Sequence, residues 1–326
     1  MTEPQLIKLQ VPNTHAIWDP AWARSVIREH YGEQLHLYQE LLRFAADLAL
    51  RALSSAPDNI PQHMIISVLF RQIIAAADAV GELLQAGAVD QAHLQLRALL
   101  EARWGLIHGL VDPEKWGRRI YVASQRENRA RMRRLIPGTH EYNEAEYERD
   151  LRNNYGEQSD ASMNAAEAQK YCEAIDAVLA KSENREANEA LEKFAKEKRR
   201  EVQWYFDAPA DKLRQIKSIR GLARRVGALG EYDSVYKYAS DHVHGGYTGT
   251  SLSFDDIGVY VAPLRSPEGL RQTLVLAFGL LSESCLRVIR TWRAPEEAPF
   301  VETYKEKWRG LIRDCPDVVI ERTPSV

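Results

Sequence analysis

Between Pro61 and Asp112 the chain reads HMIISVLFRQIIAAADAVGELLQ, breaks at Gly87, and resumes as AHLQLRALLEARWGLIHGL before Asp112-Pro113. Apolar residues recur at spacings of three and four in both segments, the period of a helix with one buried face. Gly87 supplies a helix C-terminus, Asp90 opens the next helix, and the short join forces the two into an antiparallel hairpin. A chain built around such a hairpin folds as helices packed on helices. The same period recurs from about Trp22 to Leu53, ended by SSAPDN, and in the strongly apolar, central segment from Pro267 to Trp292.

The fold class expected is therefore all-α, a multi-helix bundle. Residues 1–20 form an N-terminal arm, 21–139 the first part of the core bundle, and 211–293 its second part. Pro113 starts a basic helix that Pro137-Gly138 ends. Residues 140–210 are charge-rich and thin in large apolar side chains, as suits a peripheral helical insertion that packs along one narrow stripe. SLSFDDIGVYVAP alternates around an Asp-Ile-Gly turn and allows a short β-hairpin. RAPEEAP then breaks the chain before a C-terminal helix and tail, residues 294–326.

With 45% hydrophobic and 27% charged residues the chain lies far from the disordered regime. The opening residues lack a basic segment followed by an apolar one, and the runs MIISVLF and LVLAFGLL are too short to span a bilayer, so a cytoplasmic address without membrane contact is expected. Cys172, Cys285 and Cys315 have no paired spacing and read as reduced thiols. A net charge of −3 confines nucleic-acid affinity to local patches. Two exist, at 114–136 and at 211–227, the second carrying Arg220, Arg224 and Arg225.

The most chemically loaded stretch is YKYASDHVHGGYTG, 236–249. At about 100° per residue, Lys237, Ser240, Asp241 and His244 share roughly one third of a helix circumference. Asp233 joins them one turn earlier, while Val235, Tyr236, Ala239 and Val243 take the other arc. His242 and His244 diverge by roughly 160° on a helix, which disfavours a shared metal. A plain helix end is the competing explanation, with His244 at the negative pole and Gly245 as the cap.

A second polar stripe lies on the preceding hairpin. His93, Arg97, Glu101 and His108, spaced four, four and seven apart, occupy an arc of roughly 80° on a helix otherwise lined by leucines. Desolvating Arg97 and Glu101 requires a reason, either a functional site or a clamp between helices. Arg103 interrupts the leucine arc. The two polar patches are expected to converge, with Arg97 or Glu101 reaching the face that holds Lys237, Ser240 and His244.

RALLEA (97–102), SIRGLARRVG (218–227) and YDSVYKYASDHVHGG (232–246) resemble a bacterial family, the domain of unknown function fifty-six seventy-seven, which is similar in turn to HEPN-type ribonuclease domains. The resemblance spans roughly residues 35–290. HEPN ribonucleases carry an arginine, a gap of four to six residues and a histidine at a helix end; the matching frame here is Lys237, six residues and His244. Lysine lacks the bidentate fork of arginine, which Arg97 can supply. The resemblance implies a homodimer with sites facing a shared cleft and a role in toxin–antitoxin or anti-phage systems, with an antitoxin or defence partner.

The function expected is metal-independent RNA cleavage without a cofactor, giving a 2′,3′-cyclic phosphate. His244 is the acid–base group, Arg97 and Lys237 hold the phosphate, and Glu101 orients Arg97 or His244. Ser240, Asp241 and Tyr236 support the site, and Arg220, Arg224 and Arg225 meet the RNA backbone. The alternatives are a catalytically silent binding or sensor module, and a metal-assisted phosphohydrolase using Glu101, His108 and His242 or His244.

Overall fold

The computed structural model describes residues 5–12, 18–55, 58–144, 165–198, 202–207, 215–243, 252–255, 258–261 and 263–323. Strand β1 (Leu6–Pro12) precedes α1 (Pro20–Ser54), which Asp19 caps by accepting the Trp22 amide at 3.0 Å. Helix α2 (Ile60–Met64) leads through a π-helical turn, Ile65–Phe70, into α3 (Arg71–Gln85) and then α4 (Val89–Gly109). Gly87, at φ 71°, closes α3: its amide reaches Leu84 O at 2.9 Å and the Ala88 amide reaches Leu83 O at 2.8 Å.

Next come α5 (Pro113–Arg133), α6 (His140–Glu144), α7 (Ala165–Leu179) and α8 (Ser182–Lys198). Helix α9 (Ile219–Arg225), the single turn α10 (Leu229–Glu231), a second π turn at Tyr232–Tyr236 and α11 (Lys237–Val243) come after them. Strands β2 (Leu252–Asp255) and β3 (Gly258–Val261) pair antiparallel, forming the short hairpin. The chain ends through α12 (Leu270–Trp292), α13 (Glu297–Thr303), a third π turn at Tyr304–Trp308, α14 (Arg309–Asp314) and β4 (Asp317–Thr323). The fold is all-α and multi-helical, as the apolar period requires.

The chain divides into two compact units. The first takes Met1–Asp58, Ile65–Val111 and Ile219–Val326. Its core is the packing of α1, α3, α4 and α12 on one another, filled by Tyr31, Tyr38, Phe70, Trp104 and Phe278, each fully buried. Tyr38 stays in this apolar interior because its hydroxyl donates to Ala77 O at 2.8 Å. Helix α12 is long and apolar enough to cross a membrane by length and composition, yet 61% of that apolar window is buried against the unit's other residues. The segment Ile60–Gln85 passes the same test with 50% buried.

The two-stranded parallel sheet is not visible in the sequence pattern. β1 pairs with β4 from Leu6↔Asp317 to Pro12↔Thr323, so residues expected to be an arm and a tail form one ladder. In β1, Ile7, Leu9 and Val11 alternate with Lys8 and Gln10, and DVVIERT has a β-branched run, but nothing local links the two segments across the chain.

The second unit takes Asn59–Met64 and Asp112–Ser218, so it joins the basic helix to the charge-rich segment. Val122, Ile175, Leu179, Ala187 and Leu191 form its apolar cluster. Helix α5 meets α2 at Gly117, where a Cβ would stand 2.1 Å from Pro61 O. Gly117→Ala is therefore expected to lower stability by about 3 kcal/mol, because backbone must move to admit the methyl group. Gly279→Ala on α12, with nothing within 4 Å of the added Cβ, should raise it by about 0.5–1 kcal/mol. Denaturant melts of the two variants check the contrast.

Candidate functional site

The polar stripe of α4 turns toward α11. Arg97 Nε donates to Glu101 Oε1 at 3.2 Å, and Arg97 Nη1 donates to Ser240 Oγ at 3.3 Å. The Tyr236 hydroxyl donates to the same Glu101 oxygen at 2.7 Å, and the Arg97 guanidinium lies 4.9 Å above the Tyr236 ring centre. Four side chains thus form one connected patch, with Arg97 28% and Glu101 39% exposed. The expected convergence of the two polar faces occurs through Arg97 and Ser240.

The π turn governs how Tyr236 joins this patch. The Lys237 amide reaches back five residues to Tyr232 O, so the turn holds one residue more than an α turn. Tyr232 and Tyr236 stack at 5.0 Å, and Trp104 stands 5.5 Å from Tyr236 and 6.2 Å from Tyr232. Uniform helical phase puts Tyr236 on the apolar arc; in the structure its ring is buried with Trp104 while its hydroxyl serves Glu101.

The other expected residues separate from this patch. Lys237 Nζ pairs with Asp233 Oδ1 at 2.6 Å on the surface and lies 5.8 Å above the Tyr232 ring, away from Arg97's partners. Arg220, Arg224 and Arg225 are exposed on α9. The hydrogen bond from Lys237 holds the Asp233 carboxyl below its usual range, with the charges of Lys237 and Arg220 adding to the effect. His93 Nε2 lies 3.2 Å from Thr273 Oγ1 and its ring meets Tyr238 edge-on at 5.1 Å, whereas His108 is buried at 2% exposure. His244 lies outside the described residues, as do the side chains of Asp241 and His242. Among the described residues, no group of three or more His, Cys, Asp or Glu side chains is placed to hold a metal ion.

Arg103, the residue that interrupts the leucine arc, organises the neighbouring interior. Only 6% of its side chain is exposed. Its Nη1 donates to Glu231 Oε2 at 2.8 Å and Oε1 at 3.0 Å, and its Nη2 donates to Glu283 of α12. Trp104 Nε1 donates to Glu231 Oε2 at 2.7 Å, and Arg287 pairs with Glu283 at 2.7 Å. An arginine among leucines was the available signal; its acidic partners, 128 and 180 residues away, leave no trace in local spacing.

A family model described as a family of unknown function, DUF5677, matches residues 63–258. The chain belongs to this family. No match was found among curated proteins or among solved structures. The DUF5677 span contains Arg97, Glu101, Arg103, Glu231, Tyr236 and Ser240, while Glu283 lies beyond it.

Protonation in the DUF5677 patch depends on burial and contacts. Burial, reinforced by the hydrogen bond to Glu101, pushes the Tyr236 phenol far above its usual range, so it remains a donor at any physiological pH. Burial pulls the Arg97 guanidinium down, but Tyr236 and Glu101 more than offset this and hold it above its ordinary value. A cation fixed beside a neutral phenol and a shared carboxylate is suited to gripping an anionic group.

Removing the Tyr236 hydroxyl leaves Glu101 short of one donor. Tyr236→Phe should cost about 1–2 kcal/mol and Glu101→Gln a similar amount, with the double variant less than additive by at least about 0.5 kcal/mol. Urea denaturation of the full cycle checks this.

Glu283 gives a pH dependence. Burial raises its pKa, but the hydrogen bond from Arg287 and the Arg103 charge bring it below the ordinary 4.5. A depressed folded-state value means that the stabilisation is fully present above 4.5 and is lost as pH falls through the folded value. Glu283→Gln should therefore cost about 1–2 kcal/mol at neutral pH, discounted from buried-pair magnitudes because the side chain is 40% exposed. The gap to the unaltered protein should close in melts taken progressively below pH 4.5.

Proposed function

We propose that this protein is a metal-independent endoribonuclease similar to HEPN-type enzymes. The observation that carries the proposal is the contact between Arg97 and Ser240. It brings a guanidinium whose side chain is 28% exposed to the segment that leads in sequence, four residues later, to His244. Arg97 grips the scissile phosphate, and Glu101 and Tyr236 set the plane of its fork.

In this mechanism the ribose 2′-oxygen attacks the adjacent phosphorus, forming P–O2′ as P–O5′ breaks. His244 takes the 2′ proton or supplies one to the departing 5′-oxygen, as an imidazole near its pKa can do at working pH. Lys237 is tied to Asp233 only by an exposed pair, which contributes little and exchanges readily for a phosphate. Arg220, Arg224 and Arg225 bind backbone phosphates beyond the cleavage point, and Asp241 supports His244. The enzyme acts as a cytoplasmic homodimer whose sites share a cleft, restrained by an antitoxin or a defence partner.

A second proposal draws on the same patch. Arg97 and Glu101 satisfy each other and Tyr236 within the protein, an arrangement that also suits a catalytically silent binding or sensor module.

Incubating a mixed RNA pool with the purified protein separates the two. His244→Ala should abolish cleavage, Arg97→Ala should slow it by about 10²–10³-fold, and His242→Ala and EDTA should leave it unchanged. Products should end in 2′,3′-cyclic phosphate, and DNA should stay intact. Equal cleavage by the His244 variant removes the catalytic assignment; no cleavage by the unaltered protein across the pool favours the silent module.

A further inference from the structure

The second unit contains a recess of about 540 Å³ between α5 and α8, within the range of small-molecule sites. Its two walls differ in sign. Helix α5 contributes Lys115, Arg118 and Arg119, and α8 contributes Glu183 and Glu186. Asp112 is occupied in capping α5 through the Lys115 amide at 3.1 Å, and Glu114 is paired with Arg118 at 3.0 Å. Among the described residues no ion pair joins the α5 wall to the α8 wall, so Lys115 faces the recess as a cation and Glu183 and Glu186 as anions.

Arg119 distinguishes this recess from a charged surface. Its side chain is 4% exposed and rests 5.2 Å above Trp116; Asp207 stands at 3.6 Å, beyond hydrogen-bonding reach, and the charge of Glu186 acts on it from the facing wall. Its Nε is buried without a hydrogen-bond acceptor. A buried guanidinium with unused donors costs several kcal/mol unless an acceptor completes it, and the fork matches a carboxylate in two-point geometry. Burial holds this guanidinium below the ordinary arginine range. A phosphate dianion would be repelled by Glu183, Glu186 and Asp207, and a simple cation would leave Arg119 unsatisfied. Ala187 and Ala190 present only methyl groups, which leaves room for a side chain between the walls.

We propose that this recess binds a small zwitterion of the α-amino-acid class, its carboxylate on the Arg119 fork and its ammonium against Glu183 and Glu186. The site is independent of the ribonuclease assignment, since it uses none of that patch.

Calorimetric titration of the full chain with each of the twenty amino acids tests it. At least one should bind saturably with a dissociation constant at or below ~1 mM. Its N-acetyl form and its methyl ester should each bind at least about tenfold more weakly, and so should the Glu183→Gln/Glu186→Gln double variant, whose fold is checked by thermal melt. Arg119→Lys should weaken binding similarly, while Arg97→Ala should not alter it. Absence of binding by all twenty overturns the proposal. So does equal binding of the N-acetyl form, of acetate or inorganic phosphate alone, or by the acid-to-amide double variant.

Discussion

A buried arginine held by two carboxylates fixes the geometry of the first unit. Arg103 sits in the leucine face of α4, where an unaccompanied guanidinium would cost several kcal/mol. It is tolerated because Glu231 arrives from α10 and Glu283 from α12, and because Trp104 shares Glu231 with it. Three segments far apart in sequence therefore coexist in only one register. Glu231 immediately precedes the π turn, so the same clamp determines where Tyr236 and Ser240 stand relative to Arg97.

The π turn does the remaining positioning. An i→i+5 turn rotates the succeeding helix by about 100° relative to an uninterrupted one. Within that turn Tyr232 and Tyr236 stack four residues apart, with Lys237 over the Tyr232 ring and the Tyr236 hydroxyl on Glu101. The distortion at Tyr232–Tyr236 enters the helix that carries Ser240, and such turns collect at functional sites.

Helix period, Gly87, Pro113 and Asp112 made the α3–α4 hairpin and the start of α5 legible, because each acts over a few residues. The same local logic placed Arg97 beside Glu101 and anticipated that one of them would reach the face holding Lys237, Ser240 and His244, a contact that Arg97 makes at Ser240. Illegible features were those set by tertiary partners. Tyr236 took its role from a backbone distortion, Arg103 from acids over a hundred residues away, and Arg119 from a recess shared by two helices. The β1–β4 ladder belongs with these, since parallel strands at opposite ends of a sequence carry no mutual local signal.

That ladder has a consequence for biosynthesis. Residues 6–12 wait for residues 317–323, so the first unit cannot complete its sheet until residue 323 has left the ribosome. The apolar cluster of the second unit, by contrast, has all its members once Leu191 emerges. The apolar cluster of the second unit can therefore form before the ladder of the first, and until that ladder closes Leu6–Pro12 keeps an unpaired edge. An exposed edge of this kind is the segment that a holding chaperone, or a neighbouring chain on the same polysome, would meet first.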